Sequence, residues 1–101
     1  MIVYEVSIEV DRDAAAAYLD WLRDHVAQML DFDGFVEARV HERVDLADDA
    51  PRRTFVIAYR LRDQAALDAY FANHAAAMRA DGEGRFGGRF GASRRVLREI
   101  G

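Results

Sequence analysis

The chain carries one pattern of apolar residues twice, and that repeat fixes the order of its elements. In residues 2–10 the apolar side chains Ile2, Tyr4, Val6, Ile8 and Val10 alternate with Glu5, Ser7 and Glu9, as in a half-buried strand. A helical stripe follows, Tyr18, Trp21, Leu22, His25 and Met29, spaced three and four apart. Asp11 or Asp13 supplies the N-cap of this helix, which runs to about Leu30 before Asp33-Gly34 ends it. A shift of 49 positions lays the five stripe residues on Leu67, Tyr70, Phe71, His74 and Met78. The same shift lays Val6, Ile8 and Val10 on Phe55, Ile57 and Tyr59.

The remaining segments complete the pattern. A second strand is expected over about 35–45, where Val36, Ala38, Val40 and Val44 alternate with Glu37, Arg39, His41 and Arg43. Asp45 to Arg53 reads as a turn and about 54–62 as a third strand. Asp63 caps a second helix to about Ala80, a glycine-rich loop spans 81–91, and a last strand runs from about Ala92 to Ile100. The order is βαββαβ. Two βαβ units with right-handed crossovers give a four-stranded antiparallel sheet with both helices on one face. This is an α+β fold of the ferredoxin-like type, one domain over residues 1–101.

Composition removes several function classes. The chain has 101 residues and no cysteine, which excludes disulfides, thiolate catalysis, iron–sulfur clusters and Cys-ligated zinc. All 14 basic residues are arginine, so no lysine is present for Schiff-base chemistry. The net charge of −4 argues against bulk electrostatic binding to nucleic acid. No apolar run approaches a membrane span and no signal peptide is visible, so the chain reads as a soluble cytoplasmic domain.

Two motifs in the C-terminal third invite stronger readings. Gly82-x-Gly84-x-x-Gly87 matches the dinucleotide fingerprint by letter. That fingerprint needs a strand before it and a helix after it, and here the order is reversed. Arg85, Arg89, Arg94, Arg95 and Arg98 interleave with Phe86 and Phe90, as bases stacking on protein would require. The RNA-binding βαββαβ domains, however, need a basic-Gly-aromatic run on the third strand, and Arg52-Arg53-Thr54-Phe55-Val56-Ile57-Ala58-Tyr59 has no such glycine.

The sheet face away from the helices carries Glu5, Glu37, Arg39, His41 and Arg60 among small residues such as Val3, Val56 and Ala58. Antiparallel sheets can leave one face in water. The alternative is that two copies pair sheet to sheet as a homodimer, the commonest symmetric solution.

The chain resembles the bacterial family of domains of unknown function labelled DUF4286, within the dimeric α/β-barrel superfamily. The resemblance rests on the opening MIVYEVSIEV, on Tyr18-x-x-Trp21-Leu22-x-x-His25 and on Gly34-Phe35-x-x-Ala38-Arg39. It continues through Thr54-Phe55-x-x-x-Tyr59, Tyr70-x-x-x-His74-Ala75, and Arg85-Phe86-Gly87 leading into Ser93-Arg94. These pieces span nearly the whole chain in order. The resemblance implies the fold and a dimer. The superfamily includes cofactor-independent monooxygenases, haem-degrading oxygenases, lactone isomerases and non-enzymes, so it implies no single activity.

Tyr18, Trp21, His25, Tyr70 and His74 are the ligand-pocket candidates. An aromatic cluster with imidazoles can line a small-molecule site, and it can equally be ordinary packing with polar tips reaching water. In the haem-degrading relatives a helix His holds the iron, which points to His74. Those relatives also use an Asn on the first strand and a Trp on the third. Here the first strand offers Glu5 and Ser7, and Trp21 lies on a helix, which counts against haem. On the sheet face, Arg39 beside His41 suits a carboxylate or phosphate, while Glu5, Glu37 and Arg60 suit ion pairs at a dimer seam. Ser7 and Ser93 are the only serines and neither has a nucleophile-elbow context. No spacing marks a metal site, and no cofactor is implied. The reading is a small dimeric binding or structural protein. Its alternatives are a cofactor-independent monooxygenase or isomerase acting on an aromatic or polyketide-like substrate, with His as proton carrier, or a haem-handling protein.

Overall fold

The structure is a computed structural model and describes residues 1–101. Strands β1 (Ile2–Asp11), β2 (Phe35–Glu42), β3 (Arg52–Leu61) and β4 (Phe90–Arg98) form one antiparallel sheet in the order β2-β3-β1-β4. Helix α1 (Ala15–Leu30) follows β1, and α2 (Gln64–Asn73) and α3 (Ala75–Phe86) follow β3. The ferredoxin-like architecture expected from the two apolar repeats is the one observed. Tyr4, Val6, Ile8 and Val10 of β1 and Phe55, Ile57, Tyr59 and Leu61 of β3 are buried beneath the helices. Both strands are central, which is why their period-two pattern is unbroken.

The edges depart from the expected pattern. Strand β2 carries a bulge between Phe35 and Glu37, and a bulge shifts the alternation by one residue. Phe35 therefore enters the core, while Val36 is exposed. Strand β2 ends at Glu42, so Val44 lies beyond it and is exposed. Gly34, with φ +84°, turns the chain from α1 into β2 in a conformation that favours glycine. A Cβ there would collide with the Cβ of Ala66.

The helices correct three expectations. A 3-10 turn over Arg12–Ala14 precedes α1, and neither Asp11 nor Asp13 makes a side-chain cap. Asp63 does cap α2, its carboxylate accepting from the Ala66 amide at 2.9 Å. The single helix expected over 63–80 is broken at His74, whose φ of −132° lies outside the helical range. Helix α3 then runs through Phe86, so residues 81–86, expected as loop, are helical. Gly82 and Gly84 lie inside that helix, and the dinucleotide reading has no loop to act through. No helix is long and apolar enough to cross a membrane.

Candidate functional site

A cavity of about 50 Å³ lies between the helices and the sheet. It is large enough for a few water molecules. Its floor is Tyr4, Val6 and Ile8 of β1 with Ile57 and Tyr59 of β3. Helix α1 supplies Tyr18, Trp21, Leu22, His25 and Met29, and α2 supplies Tyr70. Helix α3 adds Met78, Arg79 and Gly82, and β4 adds Phe90 and Arg94. Four of the five pocket candidates, Tyr18, Trp21, His25 and Tyr70, thus line one space.

The fifth, His74, does not. It is exposed at the break between α2 and α3, with its ring stacked on Phe32 at 4.2 Å. The break undoes the equivalence with His25 that the repeat implied. The two imidazoles do not share the cavity, and an axial role for His74 within it is not available.

Trp21 organises the cavity wall. Its indole stacks on His25 at 4.6 Å and packs tilted against Tyr18 at 5.3 Å and Phe86 at 5.9 Å. The indole N–H donates to the Asp81 carboxylate at 3.1 Å. Asp81 also accepts from Arg85 at 3.1 Å. These two hydrogen bonds, that of Arg85 first, hold Asp81 below the ordinary carboxylate range.

His25 is the polar irregularity of this wall. Its Nδ1 is buried and has no hydrogen-bond partner within the protein, the one buried side-chain nitrogen or oxygen of the chain in that condition. Such groups are rare because each forfeits its interaction with water. Burial lowers the His25 pKa, and the charge of Asp81 partly opposes this. The ring is therefore neutral at neutral pH, with one nitrogen donating and the other accepting. Burial pushes the hydroxyls of Tyr18 and Tyr70 up to about 12 and that of Tyr59 higher still. All three stay protonated and can donate.

Arg79 and Arg94 escaped the sequence reading. Arg94 was hidden in an arginine-rich segment, yet β4 places it opposite Val6, in phase with Phe90 opposite Val10 and Val96 opposite Tyr4. Arg79 was hidden by the glycines after it. Ala75, Met78, Gly82 and Phe86 form the inward stripe of α3, and Arg79 lies within that spacing.

The opposite sheet face is laced by ion pairs within one chain. Arg60 meets Glu37 at 2.9 Å and Glu99 at 3.2 Å, and Arg95 meets Glu5 at 2.7 Å. Arg39 lies 3.8 Å from Glu37. The His41 ring pairs through Nδ1 with the Val56 carbonyl at 3.2 Å. Arg39 and His41 are both exposed, each with one partner within the chain. A second depression, about 260 Å³ near the β2–β3 turn, is lined by Arg12, Arg43, Arg52 and Arg53. Each of the four is already bound within the chain, to the Ala50 carbonyl, Asp45, Asp11 and Glu42 respectively. No three His, Asp or Glu side chains converge as a metal site would need.

Comparison with known proteins places these features in context. The family model for the domain of unknown function DUF4286 matches residues 1–100. No curated protein matches the sequence. HapK from Hahella chejuensis is similar in structure, with 23% identity, coverage of 100% of this chain and 94% of its own, and a TM-score of 0.72. Rv0793 from Mycobacterium tuberculosis is 22% identical over 100% of this chain and 97% of its own, with a TM-score of 0.68. A variant of SnoaB from Streptomyces nogalater, a cofactor-independent oxygenase, is 18% identical over 97% of this chain and 92% of its own, with a TM-score of 0.62. At these identities the likeness establishes the ferredoxin-like fold alone.

Proposed function

We propose that this chain, which belongs to the DUF4286 family of domains of unknown function, binds a small organic molecule in the cleft between its helices and its sheet. The observation that carries this reading is the orphaned His25 Nδ1 in the wall of an aromatic cavity. A ligand that hydrogen-bonds it replaces a lost interaction, whereas an apolar core residue at position 25 would leave nothing to replace. The cavity as it stands holds only a few waters. Met29 and Met78 are unbranched and repack readily, and the outer rim is made by the exposed side chains of Arg79 and Arg94. A single aromatic ring enters by displacing these, not the sheet floor.

The protein acts as a cytoplasmic homodimer in this reading. The free sheet face supports the pairing. Val3, Val56 and Ala58 are only half-buried there, and the charges around them are already matched within each copy, so two faces meet without net repulsion.

A second reading is a cofactor-independent oxygenase or isomerase. It is favoured by the neutral His25 stacked on Trp21 inside the cleft, since a neutral imidazole can take a proton from an acidic hydroxyl or carbon. The likeness to SnoaB is one of fold and supports this reading only by analogy.

The test follows the indole N–H resonance of Trp21, the single tryptophan, as the native protein is titrated with a panel of single-ring aromatic compounds. Saturable shifts of Trp21 and its cleft neighbours are expected. Shifts confined to residues outside the cleft, or none at millimolar concentration, overturn the reading. Oxygen uptake with a hydroxylated aromatic, lost in His25→Gln, would move the weight to the enzyme.

A further inference from the structure

The cavity is apolar on its floor and cationic at its rim. Nine of the 14 arginines have a carboxylate within 4.0 Å. Arg79 and Arg94 do not, although the chain as a whole is acidic, and both line the cleft. Arg79 reaches inward to donate to the Tyr4 hydroxyl at 3.3 Å. Arg94 stands on the helix-facing side of β4, opposite the buried Val6. They come from different elements, one on α3 and one on an edge strand, and line the same cavity. A guanidinium at an apolar surface offers fixed donors to a planar anion. Asp81 is bound by Trp21 and Arg85 and does not line the cavity.

We infer that the ligand of this cleft is an anionic aromatic compound whose ring lies among Tyr18, Trp21 and Tyr70 and whose carboxylate or phenolate is met by Arg79 and Arg94. The inference rests on the cleft being a ligand site and adds the charge class of what enters it. The orphaned Nδ1 of His25 recognises a second polar group on the ring. The two arginines act as binding and specificity residues: they select an acid over the neutral compound of the same shape.

Benzoate and benzamide are the probes, being nearly isosteric and different in charge. Each is titrated into native protein and read by the Trp21 indole resonance and fluorescence. Benzoate is expected to bind tighter than benzamide. Arg79→Met and Arg94→Met are each expected to weaken benzoate about tenfold and to weaken benzamide much less. Arg23→Met removes an arginine paired with Asp20 on the open face of α1 and is expected to change neither. Both replaced side chains are exposed, and an unchanged amide spectrum confirms that each variant is folded. Equal binding of both probes at Trp21, or an equal loss of both in the arginine variants, overturns the anionic assignment and leaves the cleft. Failure of both probes to perturb Trp21 at millimolar concentration overturns the cleft together with the inference.

Discussion

The Trp21 indole meets α3 where that helix has no side chain. A Cβ added to Gly82 would stand 3.0 Å from Cη2 of Trp21. The indole cannot yield freely, because His25 is stacked on it and Tyr18 and Phe86 pack against it. Gly82 therefore has a packing role, while Gly84, in the same helix with nothing within 4 Å of its added Cβ, has none. Gly84→Ala is expected to stabilise the fold by about 0.5–1 kcal/mol through helix propensity. Gly82→Ala is expected to gain nothing and to alter Trp21 fluorescence. Thermal melts of the two variants decide; equal stabilisation would show that Trp21 moves at no cost.

His25 gives the fold a pH dependence of known sign. Its folded pKa lies below the unfolded value because burial disfavours the imidazolium. The unfolded chain then binds the extra proton first as pH falls, so stability drops from about pH 6.5 downward until the folded-state group also titrates. The depressed Glu37, Glu42, Asp45 and Asp63 carboxylates contribute only at lower pH, through the ordinary carboxylate range and below. His25→Gln is expected to flatten the change in Tm between about pH 7 and pH 5.5. An unchanged slope would mean that the imidazole is solvated.

Gly34 joins α1 to β2 at a φ of +84°, with Ala66 of α2 packed against its Cα. Gly34→Ala is expected to cost about 2–3 kcal/mol, from left-handed strain and the clash together. Chemical denaturation measures it, and Ala66→Gly in the same chain is expected to recover only the part due to the clash.

The free sheet face predicts its own disruption. Native mass spectrometry is expected to give a mass near twice 11.4 kDa. Val56→Glu places a carboxylate at the centre of the proposed seam, opposite Ser7 and His41. It is expected to weaken self-association roughly a hundredfold or more with the strand content unchanged. A wild-type monomer at micromolar concentration would mean that this face is solvated.

Central elements were legible in the sequence and edge elements were not. Tyr4 through Val10 and Phe55 through Leu61 are flanked by strands on both sides, so their burial pattern follows the pleat. Strand β2 bulges after Phe35, and its expected apolar face, Val36 to Val44, was off by one at the start. The helix stripe from Tyr18 to Met29 was legible because α1 is continuous. Its counterpart was legible only in part: Leu67 and Tyr70 are buried and Met78 lines the cavity, but the break at His74 leaves that residue exposed. Composition also misled, since the glycines at 82 and 84 signal loop locally while α3 runs through both to Phe86. Of the site, the aromatic wall was readable from spacing. The arginine rim was not, because Arg79 and Arg94 are one each on two elements whose phase the sequence left open.

The central claim is that His25 Nδ1 has no partner within the protein and gains one from a ligand. Its ¹⁵N chemical shift reports this directly, recorded on side-chain-labelled protein before and after saturation with 3-hydroxybenzoate, whose hydroxyl supplies the second polar group. The account predicts a neutral ring in the free state and a ligand-dependent shift of Nδ1 that tracks the Trp21 indole resonance through the titration. A protein saturated with 3-hydroxybenzoate in which Trp21 moves and His25 Nδ1 does not would contradict it.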